Sequence, residues 1–145
     1  MTDQTSTVAN GTNSRTVEAF LFALRDQDFA TADSLLADDL VYENVGLPTI
    51  RGRVRAMKLF RAMEGRLGFD VAFHRIAENG PVVLNERTDA LVFGPLRVQF
   101  WVCGVFEVHD GRITLWRDYF DALDMVKATV RGIAGVAIPA LRPAF

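Results

Sequence analysis

Cysteine and histidine are scarce in this sequence. It contains one cysteine, Cys103, and two histidines. One cysteine cannot close a disulfide within the chain, and it excludes a metal site built from cysteine ligands. We therefore expect no metal ion and no cofactor. Because free cysteine persists in reducing compartments, the cytoplasm is the natural setting for such a chain.

An excess of charge of one sign is also missing. The formal net charge is -2, and the basic residues are scattered along the chain. A protein that binds nucleic acid needs a clustered basic face, because the basic groups must displace counterions from the phosphates. No nucleic-acid partner is therefore expected.

Neither a signal peptide nor a membrane span is predicted. Residues 1–14 are small and polar, without the basic start and apolar run of a signal peptide, and they are expected to form a flexible tail. Ser14 is predicted to cap the first helix. The apolar segment from Gly132 is too short to cross a membrane. We interpret it as a helix that packs over a pocket or at a subunit contact, with an interfacial membrane anchor as the less favoured alternative.

Residues 15–145 have the length and composition of a single globular domain. Half of the chain is apolar and 23% is charged, which is typical of a protein that buries a core. No repeat or linker divides the segment. Apolar residues recur at helical spacing in three segments between Ser14 and about Leu67, and again from about Leu123.

Between the helical segments, apolar and polar residues alternate as in β-strands. The predicted strands are a short one at Leu40–Val45 and four longer ones at Phe69–Ile76, Val82–Phe93, Arg97–Val108 and Arg112–Phe120. Helices first and a meander of antiparallel strands afterwards indicate an α+β fold, in which the helices pack on one face of the sheet. A strongly curved sheet around helices forms a cone whose interior suits a small apolar ligand.

Three charged residues fall on apolar strand faces. Arg87 and Asp89 share one face of their strand with large apolar residues, and Asp118 shares its face with Trp116 and Phe120. Burying an unpaired charge is costly, so these groups must pair with one another. Arginine is the cation best shaped to bridge carboxylates, which predicts one guanidinium between two aspartates.

The turns predict how these strands align. A two-residue turn at Asp110-Gly111 places Cys103 opposite Asp118. A three-residue loop, Gly94-Pro95-Leu96, would also place Arg87 opposite Cys103, whereas a two-residue loop would turn Arg87 and Asp118 to opposite faces. Burial of the three charges together requires this odd-numbered loop or a β-bulge. We favour the loop, since proline cannot adopt positive φ, and Cys103 would then line the pocket.

Three runs of residues occur in the order and spacing of a known family. They are Val41-Tyr42-Glu43-Asn44, Glu86-Arg87-Thr88-Asp89 and the sequence GRITLWRDYFD at 111–121. Together they resemble the limonene-1,2-epoxide hydrolase family, most closely its mycobacterial branch, and the similarity covers residues 17–121. The resemblance implies the cone-shaped fold of nuclear transport factor 2 and ketosteroid isomerase.

The resemblance also implies a reaction: hydrolysis of a lipophilic epoxide to a vicinal diol in one concerted step, without a covalent intermediate. Asp118 would be the general base, taking a proton from a water molecule that Tyr42 and Asn44 also hold. Asp89 would be the general acid that protonates the epoxide oxygen, and Arg87 would orient both carboxylates. For Asp89 to hold a proton near neutral pH, burial must raise its pKa against the effect of Arg87.

Two other kinds of protein remain open on this fold. An isomerase-like or cyclase-like enzyme would also use a pocket carboxylate and a tyrosine, but it would not need a second carboxylate bridged by Arg87. A non-catalytic lipid-binding module would use the same apolar cone. Its charged groups would be replaceable by apolar residues without loss of binding.

A homodimer is expected from the outer face of the sheet. Val82, Leu84, Ala90 and Val92 alternate with the pocket-facing residues of the same strand, so both strand faces are apolar. An exposed apolar patch of this kind marks an interface.

Overall fold

The computed structural model describes residues 11–145, which form four α-helices and a six-stranded sheet. The helices are α1 (Thr12–Arg25), α2 (Phe29–Ser34), α3 (Arg53–Ala62) and α4 (Ala122–Ala137), and a 3₁₀ turn follows at Pro139–Leu141. The strands are β1 (Leu36–Asn44), β2 (Ile50–Arg51), β3 (Gly68–Asn79), β4 (Val82–Phe93), β5 (Leu96–His109) and β6 (Arg112–Tyr119). The predicted α+β class is confirmed. The short strand β2 was not predicted, and α3 ends earlier than expected.

The first helix begins earlier than predicted. Residues 1–10 of the predicted tail lie outside the described residues, but residues 12–14 are already helical, with Gly11 at the N-cap. Ser14 is therefore not the cap. It is fully buried, and its backbone amide and hydroxyl donate to one carboxylate oxygen of Glu78 at 2.6 and 2.8 Å. A carboxylate from β3 thus satisfies first-turn donors that a local cap would otherwise serve.

The sheet has the order β2-β1-β6-β5-β4-β3. Strands β1 and β6 run parallel, and the other neighbouring pairs are antiparallel. The parallel pair brings Tyr42, early in the chain, beside Trp116, late in the chain. The N-terminal helices pack on one face of the curved sheet, where Phe20 and Phe106 lie against Trp116 in the centre of the core.

The hairpin between β4 and β5 corrects the predicted register. Only Gly94 and Pro95 lie between the paired strand ends, so Arg87 lies opposite Val102. The positive φ of this turn falls on Gly94, at 54°. A glycine of positive φ at the first central position, followed by a residue of negative φ, is the type II′ arrangement. Proline fits its second position, and the predicted three-residue loop is wrong.

A β-bulge in β6 supplies the odd residue instead. Thr114 is an extra residue between the pairs that Ile113 and Leu115 make with β5. The bulge shifts the rest of β6 by one position, so Asp118 lies opposite Gly104 and not, as predicted, opposite Cys103. Asp118 therefore stays on the face of the buried charges. The turn at residues 110–111 is the two-residue turn that the sequence predicts.

Helix α4 covers a free edge of the sheet. Strand β6 ends at Tyr119, so residues 96–102 of β5 have no strand on that side. A carboxylate oxygen of Asp124 accepts a hydrogen bond from the Trp101 backbone amide at 3.1 Å. Gly132 lies so close that a Cβ there would be 2.5 Å from a β5 carbonyl oxygen. A covered strand edge is protected from pairing with another chain.

The end of the chain lies against the outer face of the sheet. The carbonyl of Ala144 accepts a hydrogen bond from Gln99 at 3.3 Å, and the guanidinium of Arg97 lies over the ring of Phe145. Ala90, predicted to be exposed on this face, is completely buried. No helix among the described residues is long and apolar enough to cross a membrane.

Candidate active site

Arg87 joins two carboxylates that come from different strands. Its Nε and Nη2 donate to the two oxygens of Asp89 on β4 at 2.8 and 3.1 Å. Nη2 also donates to Oδ2 of Asp118 on β6 at 2.6 Å. The side chain of Arg87 is completely buried, and those of Asp89 and Asp118 are 6% and 7% exposed. The structure thus brings the three charged groups together, with the cation between the two carboxylates.

Burial and charge act in opposite directions on Asp89. Removal from water raises the pKa of its carboxyl to about 6, although the charge and hydrogen bonds of Arg87 favour the ionised form. For Arg87, burial alone would lower the pKa, but the charges of Asp118 and Asp89 raise it above its usual value. The site therefore contains a permanent cation beside a carboxyl group that can hold a proton close to neutral pH.

Asp118 is held by two donors, one for each oxygen. The indole nitrogen of Trp116 donates to Oδ1 at 2.8 Å, and Arg87 donates to Oδ2. A carboxylate oxygen has two lone pairs, so each oxygen keeps one that can accept a further proton or hydrogen bond. Asp118 lines the cavity, whereas Arg87 lies beneath it. The bonds from Arg87 and Trp116 therefore fix the orientation of the carboxylate, which still borders the cavity.

Tyr42 and Asn44 reach the site from β1. In the parallel pairing Tyr42 lies beside Trp116 and Asn44 beside Asp118. The rings of Tyr42 and Trp116 are stacked, with centroids 4.2 Å apart. Burial, helped by the charge of Asp118, raises the pKa of Tyr42 to about 12, so its hydroxyl stays neutral and can donate.

The cavity in front of these groups has a volume of about 330 Å³. Most of its wall is apolar, and the polar residues that line it are Gln27, Tyr42, Asn44, Asp89 and Asp118. The apolar wall consists of Leu24, Phe29, Leu47, Phe60, Met63, Leu67, Phe69, Leu91, Phe100, Val102, Trp116, Phe120 and Met125. A mostly apolar pocket with a few converging polar groups is the usual form of a site for a small organic molecule.

Residues next to the charged cluster in sequence point away from it. Thr88 bonds to the exposed His74 at 2.7 Å, and Arg117 donates to Glu43 at 3.0 Å. Both directions agree with the alternation predicted for these strands. The prediction that Cys103 lines the pocket is wrong. The two-residue turn between β4 and β5 pairs it with Glu86 on the outward face, where the bulge in β6 leaves it opposite Tyr119, and it does not line the cavity.

Sequence reasoning missed two residues beneath the site. Asn85 is 3% exposed, and its amide oxygen accepts a hydrogen bond from Nη1 of Arg87 at 2.8 Å. Gly104 lies directly opposite Asn85 on the neighbouring strand β5. A Cβ at 104 would be 2.3 Å from Nη1 of Arg87 and 2.8 Å from the Asn85 oxygen. A glycine inside a strand was the available signal, because it marks a place where another group approaches the backbone.

Among the described residues, no three of histidine, cysteine, aspartate and glutamate are grouped as metal ligands. The two carboxylates of the cavity share Arg87 as their cation, and its guanidinium supplies the positive charge next to them. What the site can do chemically is to move protons: it has a carboxyl group with a raised pKa, a second carboxylate, and neutral donors on β1.

The fold and the pocket together define a cone-shaped α+β protein of the nuclear transport factor 2-like class, built around a small-molecule site. Residues 11–131 match the limonene-1,2-epoxide hydrolase catalytic domain. The chain belongs to the limonene-1,2-epoxide hydrolase family, as its sequence motifs predict, and it is an epoxide hydrolase.

Two relatives from Mycobacterium tuberculosis support this assignment. Epoxide hydrolase EphG is 63% identical over 126 residues, which cover 87% of this chain and 85% of EphG. The solved structure of an LEH-like epoxide hydrolase is 60% identical, with a TM-score of 0.91, and the match covers 92% of this chain and 96% of that chain.

A more distant match shows how widely the fold is used. A putative ketosteroid isomerase from Kribbella flavida is 20% identical, with a TM-score of 0.64 over 76% of this chain and 78% of its own. At this identity the likeness concerns the fold alone. The isomerase and cyclase alternatives are therefore not favoured over epoxide hydrolysis.

Proposed function

We propose that this chain hydrolyses a lipophilic epoxide in one step, with Asp118 as general base and Asp89 as general acid. The observation that carries the proposal is the contact of Arg87 with both carboxylates, each of which also lines the apolar cavity. An acid that protonates the ring oxygen and a base that takes a proton from the attacking water can each contribute about 10² to 10⁴ in rate.

The acid side of the reaction rests on the raised pKa of Asp89. The epoxide oxygen becomes an alkoxide as its carbon–oxygen bond breaks, and it needs a proton from a group that still holds one. Burial raises the pKa of Asp89 to about 6, which keeps part of the carboxyl protonated near neutral pH. The protonated group can then donate to the ring oxygen as the bond opens.

The base side rests on the environment of Asp118. A water molecule that donates to Asp118 gives up one proton to it while its oxygen attacks a ring carbon. Tyr42 and Asn44 lie next to Asp118 and offer a hydroxyl and an amide to the same water. Each turnover leaves a proton on Asp118 and removes one from Asp89, so a net transfer between the two restores the site.

The class of substrate follows from the wall of the cavity. Its large aromatic and aliphatic side chains include Phe60, Phe100 and Phe120, and they favour an apolar body around the epoxide ring. No cofactor and no metal ion enters this mechanism, because Asp89 and Asp118 supply both proton transfers. A free cysteine also suits the reducing cytoplasm, which we take as the cellular location.

The proposal is tested by incubating the purified protein with a panel of cyclic and acyclic lipophilic epoxides in ¹⁸O-water. We expect a vicinal diol carrying one ¹⁸O atom, formed at the same rate with and without a chelator. The label is also expected in the product of the first turnover when enzyme exceeds substrate, because no covalent intermediate delivers an unlabelled carboxylate oxygen. Loss of turnover on chelation, restored by a divalent ion, would contradict the mechanism.

We also propose that the chain forms a homodimer and that helix α4 forms part of its contact surface. Val126, Val130 and Ile133 form one stripe of this helix and are 60%, 62% and 59% exposed. A second copy of the chain would cover this apolar stripe. Sedimentation should show a dimer that Val130→Glu dissociates, whereas Val54→Glu, at an exposed position of α3, leaves it intact. A monomer at micromolar concentration would refute the dimer.

A further inference from the structure

The guanidinium of Arg87 has a third partner that is neutral. Besides the two carboxylates, Nη1 donates to the amide oxygen of Asn85 at 2.8 Å. Three side chains therefore hold the plane of the guanidinium, two of them charged and one not. The neutral contact is the one that neither the acid nor the base role explains.

The amide of Asn85 can serve Arg87 in one orientation only. Arginine has donors and no acceptors, so the amide oxygen must face Nη1 and the amide nitrogen must face away. That nitrogen is buried and has no hydrogen-bond partner among residues 11–145. An apolar side chain would avoid the cost of burying an unpaired donor. The residue type is therefore explained by its contact with Arg87 and not by packing.

Gly104 provides the space in which this contact forms. It lies between Asn85 on β4 and Asp118 on β6 in the strand pairing. A Cβ at position 104 would lie 2.3 Å from Nη1 of Arg87 and 3.1 Å from Oδ1 of Asp118. Nη1 of Arg87 thus approaches the bare backbone of β5 at Gly104, and it donates to Asn85, whereas Nε and Nη2 donate to the carboxylates.

We propose that Asn85 is a positioning residue for epoxide hydrolysis, which holds the Arg87 guanidinium in the single rotation that serves Asp89 and Asp118 together. The inference rests on the acid and base roles proposed above. Rotation of the planar guanidinium about its Cδ–Nε bond would carry Nη2 away from the carboxylates, and this single nitrogen donates to both. The Asn85 contact to Nη1 opposes that rotation.

The neutrality of Asn85 matters for the charge of the site. The titratable or charged groups that face the cluster are Arg87 and Asp89 from β4, Asp118 from β6 and Tyr42 from β1. The neighbouring strands present only apolar residues or glycine there, which are Val71 and Phe73 on β3 and Val102, Gly104 and Phe106 on β5. A carboxylate at 85 would compete for Arg87 and would stabilise the protonated form of Asp89.

Two variants and one control test the inference. Asn85→Leu removes the acceptor and keeps the volume, and we expect kcat to fall by about 10- to 100-fold with KM nearly unchanged. Asn85→Asp keeps the acceptor and adds a charge, and we expect the high-pH limb of the kcat profile to move to higher pH by about half a unit or more. Asn79→Asp, the same change at an exposed strand end, should alter neither quantity.

The outcomes separate this inference from the proposed function. A merely structural role would lower the melting temperature of both Asn85 variants and leave the pH limb of the Asp variant in place, which would overturn the inference. If Asn85→Leu does not fold, the pH profile of Asn85→Asp still decides. Wild-type turnover in Asp118→Asn and Asp89→Asn would instead overturn the proposed acid and base, and with them the basis of the inference.

Discussion

Strand β4 carries ion pairs on both faces of the sheet, one residue apart. On the inner face, Arg87 binds Asp89 where both side chains are almost completely buried. On the outer face, Glu86 binds Arg75, whose side chain is 81% exposed. Each pair joins an arginine to a carboxylate, and the two pairs differ most in how far they are buried.

The two carboxyl groups respond in opposite directions. On the inner face, burial raises the pKa of Asp89 to about 6 despite its bonds to Arg87. On the outer face, a hydrogen bond from Trp101 and the contact with Arg75 lower the pKa of Glu86. A partly exposed carboxyl next to a cation therefore stays ionised, whereas a buried one can hold a proton. This difference supports assigning the proposed acid–base chemistry to the inner face.

The largest expected effect is on catalysis by the inner pair. Asp118→Asn and Asp89→Asn should each lower kcat by about 10²- to 10⁴-fold with the fold intact, because each removes one proton transfer. The double variant should be little worse than either single one, since the two groups act as a unit. Steady-state kinetics and circular dichroism measure these quantities.

The outer carboxyl provides the control for this comparison. Glu86→Gln should keep turnover within about twofold of wild type, since it removes an exposed contact outside the cavity. Two inner substitutions whose costs simply multiplied would show that Asp89 and Asp118 act independently, against the concerted mechanism.

The second expected effect is on stability, and it compares two arginines. Arg87→Met leaves Asp89 and Asp118 buried without their cation and should lower the free energy of unfolding by about 3–5 kcal/mol. The loss should shrink at acidic pH, where Asp89 is uncharged. Arg117→Met, on the outer face, should cost about 1 kcal/mol or less. Denaturant unfolding at two pH values measures both, and equal losses would mean that burial does not distinguish the faces.

The third effect concerns the pH dependence of stability. Because the folded state holds a proton on Asp89 up to pH about 6 and the unfolded chain releases it near pH 4, the folded state is favoured at low pH. Relative to Asp89→Asn, the wild type should lose roughly 2 kcal/mol of stability as the pH rises from 4 to 7. A difference between the two proteins that did not change with pH would show that the pKa of Asp89 is not raised.

The smallest expected effect belongs to the residues that alternate with the catalytic ones. Thr88→Ala and Arg117→Ala should each leave kcat/KM within about twofold of wild type, because their side chains point outward and touch His74 and Glu43. A tenfold loss in either variant would place the outer face in the catalytic machinery and end the contrast between the faces.

Much of this protein could be predicted from its sequence because strand alternation is local. The alternation around Arg87 and Asp89 predicted that they share a buried face. The alternation around Asp118 predicted a second buried carboxylate, which needs Arg87 as its partner. The family resemblance added Tyr42 and Asn44, which alternation alone could not assign, since their strand pairs with one that lies far along the chain. The resemblance also suggested epoxide hydrolysis, which the family match and the relatives confirm.

The alignment of the strands was decided by tertiary structure. The sequence required an odd residue between Arg87 and Asp118 and offered a longer loop or a bulge, but the choice depends on which strand tolerates the irregularity. Thr114 bulges out of β6, and Gly94 alone takes the positive φ of the other turn. Local propensity could not weigh these two solutions, because both satisfy the same turn and the same burial.

The contacts beneath the site also required the folded chain. Asn85 and Gly104 are 19 positions apart in the sequence and adjacent in the sheet, so nothing local connects an asparagine to a glycine. The sequence by itself determined which groups must be buried and therefore paired, since burying a lone charge is too costly. Only the tertiary structure decided which backbone lies bare beneath the guanidinium and which neutral oxygen holds it, because those depend on register across strands.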